Sequence, residues 1–312
     1  MRSFTFAALA ALLLLGTTSC SIKRFAVKSV ANSLTSGPDV YGTDDDPELV
    51  RDAIPFGLKT LESLLAVVPD HQGLLLALCR GYTQYAYAFV QNDADLIEPT
   101  DYARASALRD RALKLYLRGR GYGLRGLNLR YKGIGEQLSL KPAVAAARIK
   151  SRDLPLLYWT AAAWGSAISV GKDKPDLMAD LSSVQALMQR GLQLDESYDR
   201  GALHEAMIVL EALPPAMGGS PERARQHFKR ALELSDGTRA SPYLTLATSI
   251  SVASQDRGEF ESLLRQALAV DPNRDPNQRL ANTILQQKAR TLLEREDLLF
   301  LDADTTRTKD ER

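Results

Sequence analysis

The stretch Ala224-Arg-Gln-His-Phe228-Lys-Arg-Ala231-Leu232 puts two small residues and one aromatic at steps of four and three. On a helix that spacing sets Ala224, Phe228 and Ala231 on a single face, where small side chains let a second helix approach closely. The end of the motif recurs. Gly191-Leu-Gln-Leu-Asp195, Ala231-Leu-Glu-Leu-Ser235 and Ala267-Leu-Ala-Val-Asp271 superpose, and Leu64-Leu-Ala-Val-Val68 is a weaker copy. Gly191 and Ala231 lie 40 residues apart, and Ala231 and Ala267 lie 36 apart. Repetition at that period marks stacked helix pairs of unequal length.

Helical spacing extends in both directions. Leu58, Leu61, Leu65 and Val68 recur at steps of three and four, as do Leu177, Leu181, Val184 and Met188, and Phe260, Leu263, Leu264, Ala267 and Leu268. No sustained apolar/polar alternation occurs. Breaks fall at Val68-Pro69-Asp70, between Gly171 and Pro175, at Pro214-Pro215, at Ser235-Asp236-Gly237 and at Asp271-Pro272. The Ala224–Ala231 spacing is that of the second helix of a tetratricopeptide repeat (TPR). The expected fold is therefore all-α, an irregular TPR-like α-solenoid of stacked antiparallel helix pairs forming one domain over residues 47–302. Gly81 and Gly165 stand in helix bodies, at a cost of about 1 kcal/mol each relative to alanine unless a close contact requires them. The uncharged run from Leu154 to Gly171 reads as a buried helix with Asp153 at its N-cap, because its tryptophans sit mid-run instead of at the ends a bilayer favours.

The amino terminus reads as an address. Arg2 precedes an apolar run from Phe4 to Gly16, and Gly16-Thr-Thr-Ser-Cys20 ends in small residues followed by cysteine. A run that short is the core of a signal peptide (residues 1–19), and Cys20 after small residues matches a bacterial lipobox with Thr17 at the usual leucine position. Residues 20–46 are expected to form a lipidated tether, and 303–312 a polar tail. Ser21 in place of aspartate favours the periplasmic face of the outer membrane. Acylation of Cys20 leaves Cys79 alone within Leu74-Leu-Leu-Ala-Leu-Cys79, as a small buried hydrophobe. Setting aside Arg2, the 39 Lys and Arg become 38 against 38 Asp and Glu. A neutral balance argues against nucleic-acid binding, which needs surplus positive charge.

Catalytic constellations are incomplete. His204-Glu205 begins a zinc-protease motif, but Ile208 stands where the second histidine belongs. Ser169-Val-Gly-Lys172 lacks the companion motifs of penicillin-recognising enzymes. Gly121-x-Gly123-x-x-Gly126 has no preceding strand, and reads as a loop between helices rather than a dinucleotide site. No enzyme activity, cofactor or metal site is expected. Residues 39–101 hold 12 acids and 3 bases, whereas residues 102–132 hold 9 bases and 1 acid. Such blocks either neutralise each other across neighbouring helices, or leave Arg118, Arg120, Arg125, Arg130 and Lys132 as a basic rim for an anionic ligand or partner. Tyr82, Tyr85, Tyr158, Trp159 and Trp164 either fill the core or line an apolar groove or pore.

Several long strings resemble one family. The first is Asp44-Asp-Asp-Pro-Glu-Leu-Val-Arg-Asp-Ala-Ile-Pro-Phe-Gly-Leu-Lys-Thr-Leu-Glu-Ser-Leu64. Next come Gly81-Tyr-Thr-Gln-Tyr-Ala-Tyr-Ala-Phe-Val90 and Tyr158-Trp-Thr-Ala-Ala-Ala-Trp-Gly165. Asp199-Arg-Gly-Ala-Leu-His-Glu205, Pro214-Pro-Ala-Met-Gly-Gly-Ser-Pro-Glu-Arg-Ala224 and Ser254-Gln-Asp-Arg-Gly-Glu-Phe260 complete the set. The chain resembles the T component of TPR-associated TRAP transporters, TatT. The resemblance implies a periplasmic, lipid-anchored, homotrimeric protein that binds the transporter's solute-binding P protein. It also implies a hydrophobic pore or cleft that helps to capture or hand over a hydrophobic, carboxylate-bearing ligand. A TPR-type lipoprotein scaffold for envelope assembly, with no small-molecule ligand, is the alternative.

Overall fold

The computed structural model describes residues 22–301. The expected signal peptide, the acylated Cys20 and the polar tail lie outside the described residues. Residues 22–36 form a helix, α1. It is followed by α2 (Pro47–Val67), α3 (Gln72–Tyr85), a π-helical turn (Ala86–Gln91), α4 (Asn92–Ile97), α5 (Tyr102–Arg130), α6 (Ile134–Leu140), α7 (Pro142–Ala147) and α8 (Leu154–Val170). Then come α9 (Pro175–Ala179), α10 (Leu181–Leu194), α11 (Ala202–Glu211), α12 (Pro221–Ser235), α13 (Ser241–Leu246), a second π turn (Ala247–Ser251), α14 (Arg257–Ala269) and α15 (Arg279–Glu294). Among the described residues every regular element is helical. No described helix is long and apolar enough to cross a membrane.

Local chemistry explains the boundaries. The Asp46 carboxylate accepts from the amides of Glu48 and Leu49 at the start of α2, Asp101 accepts from Arg104 in α5, and Asp256 accepts from Glu259 in α14. Ser220 caps α12 with Pro221 at its first position. The recurrent strings all end helices: Leu64–Val68 closes α2, Gly191–Asp195 closes α10, Ala231–Ser235 closes α12 and Ala267–Asp271 closes α14. The small residue in each later copy is a close-packing point. A side-chain carbon at Gly191 would stand 2.6 Å from Leu203, and Ala231 and Ala267 are buried.

Helices pack in chain order: α2 on α3, α3 on α5, α5 on α8, α8 on α10, and onward through α11, α12, α13 and α14 to α15. Three apolar clusters follow one another along the array. The last helix then returns to the first ones. α15 packs against α2 and α4, and its Leu280 and Ile284 belong to the same cluster as Leu58, Leu74 and Tyr82. Polar contacts fasten this seam: the Leu280 amide donates to the Gly42 carbonyl at 3.1 Å and Arg295 donates to the Leu96 carbonyl at 2.6 Å.

Two expectations change on contact with the structure. Gly121, Gly123 and Gly126 lie inside α5, where the sequence reading places a loop. Ala112, Tyr116, Gly119, Gly123 and Gly126 form a buried stripe at steps of four and three, against which α3 and α8 close. A carbon added at Gly123 would collide with Thr160 Oγ1 and stand 2.9 Å from Cys79 Sγ. These glycines permit close packing, and that gain outweighs their poor helix propensity. Asp153 stands at the N-cap position of α8, but its carboxylate accepts from the Tyr131 hydroxyl at 2.6 Å and pairs with Arg130 instead of capping. Cys79 is buried as expected, and burial pushes its thiol up to about 12.

Candidate functional site

Closure of the array separates an inner face from an outer one. Tyr87, on the π turn after α3, has 45 % of its surface accessible, yet Lys288 of α15, Glu205 of α11 and Asp95 of α4 all act on its phenol. Tyr87 is thus partly accessible to solvent while charged groups from three other helices lie close enough to act on it. The extra residue of a π turn re-aims the side chains it carries, and such turns are frequent at functional sites.

Further aromatic rings share the influence of Glu205. Tyr158 of α8 lies 5.4 Å from the ring of Tyr198 and 5.1 Å, edge-on, from that of Trp159. Burial raises the Tyr158 phenol, and the negative charges of Glu205 and Asp199 add to the shift. Tyr198 is pushed up to about 12 by burial and by Asp199. All three rings are half-buried, which suits a surface that meets an apolar ligand.

Charged groups near these rings are mostly matched. Lys288 donates to Asp95 at 2.8 Å. Arg239 is 5 % exposed, donates to Asp199 at 2.6 Å, and leaves its Nε without a partner. Glu205 accepts from the Ser241 hydroxyl at 2.8 Å. Burial raises its carboxyl, against the opposing influence of Arg239. Among the described residues no group of His, Cys, Asp or Glu is arranged to hold a metal ion.

A strained turn holds part of this arrangement. Asp199, Arg200 and Gly201 have φ of 43°, 55° and 96°, so two residues with side chains occupy left-handed backbone at about 1–2 kcal/mol each. The strain aims Asp199 at Arg239 and Arg200 at Asp275, across successive hairpins. Gly201 lets the turn lie against Ala231, where a side-chain carbon would stand 3.2 Å from that residue's Cα.

The aromatic residues singled out from sequence divide between buried and half-buried positions. Tyr158 and Trp159 are half-buried and touch edge-on. Tyr82 is buried, its hydroxyl donating to Glu62 at 2.8 Å, with Tyr122 donating to the same oxygen at 2.6 Å. Tyr85 packs on Phe89 with Arg111 over its ring. Trp164 is buried, and its indole donates to Asp180 at 3.0 Å beneath the Arg120 guanidinium.

Most of the basic stretch has partners. Arg118 pairs with Glu62, Arg120 with Asp180 and Arg130 with Asp153, while Arg125 donates to the Pro69 carbonyl. Lys132 is exposed. The acidic block is engaged in return, since Glu98 also pairs with Arg109. Sequence reasoning includes Tyr87 in the aromatic run from Gly81 to Phe89 without singling it out, and assigns no binding role to Glu205, Arg239 or Lys288. The spacing of Tyr87 is the available signal: it stands two residues from both Tyr85 and Phe89, which places it on the other side of the helix.

Comparison with known proteins follows the same lines. The TRAP transporter T-component family is matched over residues 43–300. A protein of Treponema pallidum (strain Nichols), described as uncharacterized, is 29 % identical over 302 residues, covering 91 % of this chain and 94 % of its own length.

Proposed function

The chain belongs to the TRAP transporter T-component family, an accessory component of a transporter, and on that premise we propose that it is a non-enzymatic lipoprotein acting on the periplasmic face of the outer membrane. In this reading its helix pairs form a TPR-like array that binds the solute-binding P protein. The array assists capture or hand-over of a hydrophobic, carboxylate-bearing ligand, and the protein works as a homotrimer.

One observation supports the reading: Tyr158 packs on Trp159 and Tyr198, and Glu205 acts on the phenols of both Tyr158 and the half-exposed Tyr87. Rings with polar tips give an amphiphile both an apolar wall and hydrogen-bonding points. Arg239 and Lys288 supply positive charge for an acid group, each already held by an aspartate.

The test has two parts. The chain from residue 20, with Cys20→Ser, is used to capture periplasmic proteins, and recovery of a TRAP solute-binding protein is expected. Dodecanoate is then titrated while the fluorescence of Trp159 is followed in a Trp164→Phe background, with Tyr158→Ala as the weakened variant. Failure to capture the P protein, together with no spectral response to dodecanoate, overturns the proposal. Light scattering of the purified chain tests the trimer.

A further inference from the structure

The first turns of α1 form a basic and apolar foot. Residues 22–26 are all exposed, with Ile22 at 68 % and Phe25 at 75 %. Further along, Ala31 is buried and Val27 packs against the core, and Asn32 meets the His71 ring at 2.9 Å. α1 is thus anchored to the α2–α3 corner, while the side chains of residues 22–26 stay exposed beside it.

The foot has one sign of charge. Lys23, Arg24 and Lys28 lie within it, and no acid occurs from Ile22 to Pro38. Beside it a cleft of about 310 Å³ is lined by Arg24, Phe25, Lys28, Val68, Asp70 and His71. At a rise of about 1.5 Å per residue, Ile22 to Lys28 spans about 9 Å, comparable with the headgroup layer on one side of a bilayer. Apolar residues interleaved with Lys and Arg suit that layer, where rings and aliphatic groups reach the acyl boundary and cations meet lipid phosphates. The chain leads from this foot directly to Cys20.

We propose that residues 22–28 of α1 form a second membrane contact, inserting Ile22 and Phe25 into the interface of an anionic bilayer while Lys23, Arg24 and Lys28 bind its headgroups. A basic and apolar patch beside the expected lipid anchor adds contacts that the acyl chains do not make. Because α1 is also docked on the body, the contact fixes how the array stands relative to the surface.

The test removes the acyl contribution. The chain from residue 20 carrying Cys20→Ser is sedimented with vesicles of phosphatidylethanolamine and phosphatidylglycerol, and with pure phosphatidylcholine vesicles. Binding is expected on the anionic vesicles only, falling several-fold as salt rises from about 0.1 M to about 0.5 M. Lys23→Gln/Arg24→Gln/Lys28→Gln is expected to lower the partition coefficient at least about tenfold, and Ile22→Ser/Phe25→Ser by a similar factor. These side chains are exposed, so circular dichroism and the unfolding midpoint stay unchanged. Equal binding to both vesicle types, or no loss in the triple variant, overturns the proposal. So does a change of oligomeric state on Ile22→Ser/Phe25→Ser in lipid-free solution, which makes the foot a contact between copies of this chain.

Discussion

The Nζ of Lys288 lies 2.8 Å from Oδ2 of Asp95, across 193 residues of sequence. This pair joins the last long helix to the segment that follows α3. Burial works to lower the Lys288 ammonium, but the neighbouring Tyr87 and the charge and hydrogen bond of Asp95 outweigh it and the group is held above its ordinary range. Removing one partner leaves the other charge poorly solvated, so the pair acts as a latch on the seam.

Lys288→Met is therefore expected to destabilise the protein by about 1–3 kcal/mol. Hydrogen exchange should quicken in α15 and in α4 while α10 stays protected. Lys288→Met with Asp95→Asn should recover part of the loss, since no uncompensated charge then remains. Unchanged exchange in α15 would show that the latch carries no weight.

Glu62 gives a pH-dependent prediction. Burial pushes its carboxyl up, but hydrogen bonds from Lys59, Tyr122 and Tyr82, and the charge of Arg118, hold it down at about 2 against an ordinary 4.5. A carboxylate depressed by folding contributes stability above its unfolded value, and that contribution is lost as pH falls from 4.5 toward 2. Glu62→Gln should cost about 1–3 kcal/mol at neutral pH and flatten acid unfolding in that window, as read by denaturant titrations at several pH values.

His204 and His227 place their Nδ1 atoms 2.8 Å apart. Burial lowers both groups below the ordinary 6.5; Glu196 opposes the shift at His204, and the neighbouring His204 adds to it at His227. Each imidazole is thus neutral in the folded state at neutral pH, and stability falls as pH drops below 6.5. Between about pH 7.5 and about pH 5 the melting midpoint should decline, and His227→Gln should reduce that slope. Parallel slopes in wild type and variant would exclude the pair as its source.

Gly121 and Gly123 share α5 and predict opposite outcomes. A carbon at Gly121 meets nothing within 4 Å, whereas at Gly123 it strikes Thr160 and Cys79. Gly121→Ala should stabilise by up to about 1 kcal/mol through helix propensity. Gly123→Ala should destabilise by about 1–3 kcal/mol through overpacking. Chemical denaturation midpoints compare the two directly.

Much of the fold is legible in the sequence because helix boundaries and packing faces are local properties. The breaks at Pro69, Pro214, Gly237 and Pro272 fall between helices, Pro175 opens one, and Val184, Met188, Phe260 and Leu264 are core as their spacing implies. The glycines of α5 mislead because propensity is local, whereas their benefit comes from α3 and α8. The inner face is harder to read for a related reason. Tyr82 and Trp164 look from sequence much like Tyr87 and Trp159, and only the return of α15 onto α2 and α4 separates interior from exterior. Lys288 carries no motif and Glu205 only an incomplete one; their surroundings come from elements far away in the chain.

The seam between the two ends also governs the order in which the molecule can be made. Leu280 and Ile284 complete a cluster that otherwise belongs to the amino-terminal helices, so that cluster has a missing wall until synthesis has passed residue 284. A helical stack open at both ends can grow turn by turn as it emerges, but this chain must wait for its own tail. Truncation before α15 therefore damages the beginning of the molecule as well as its end.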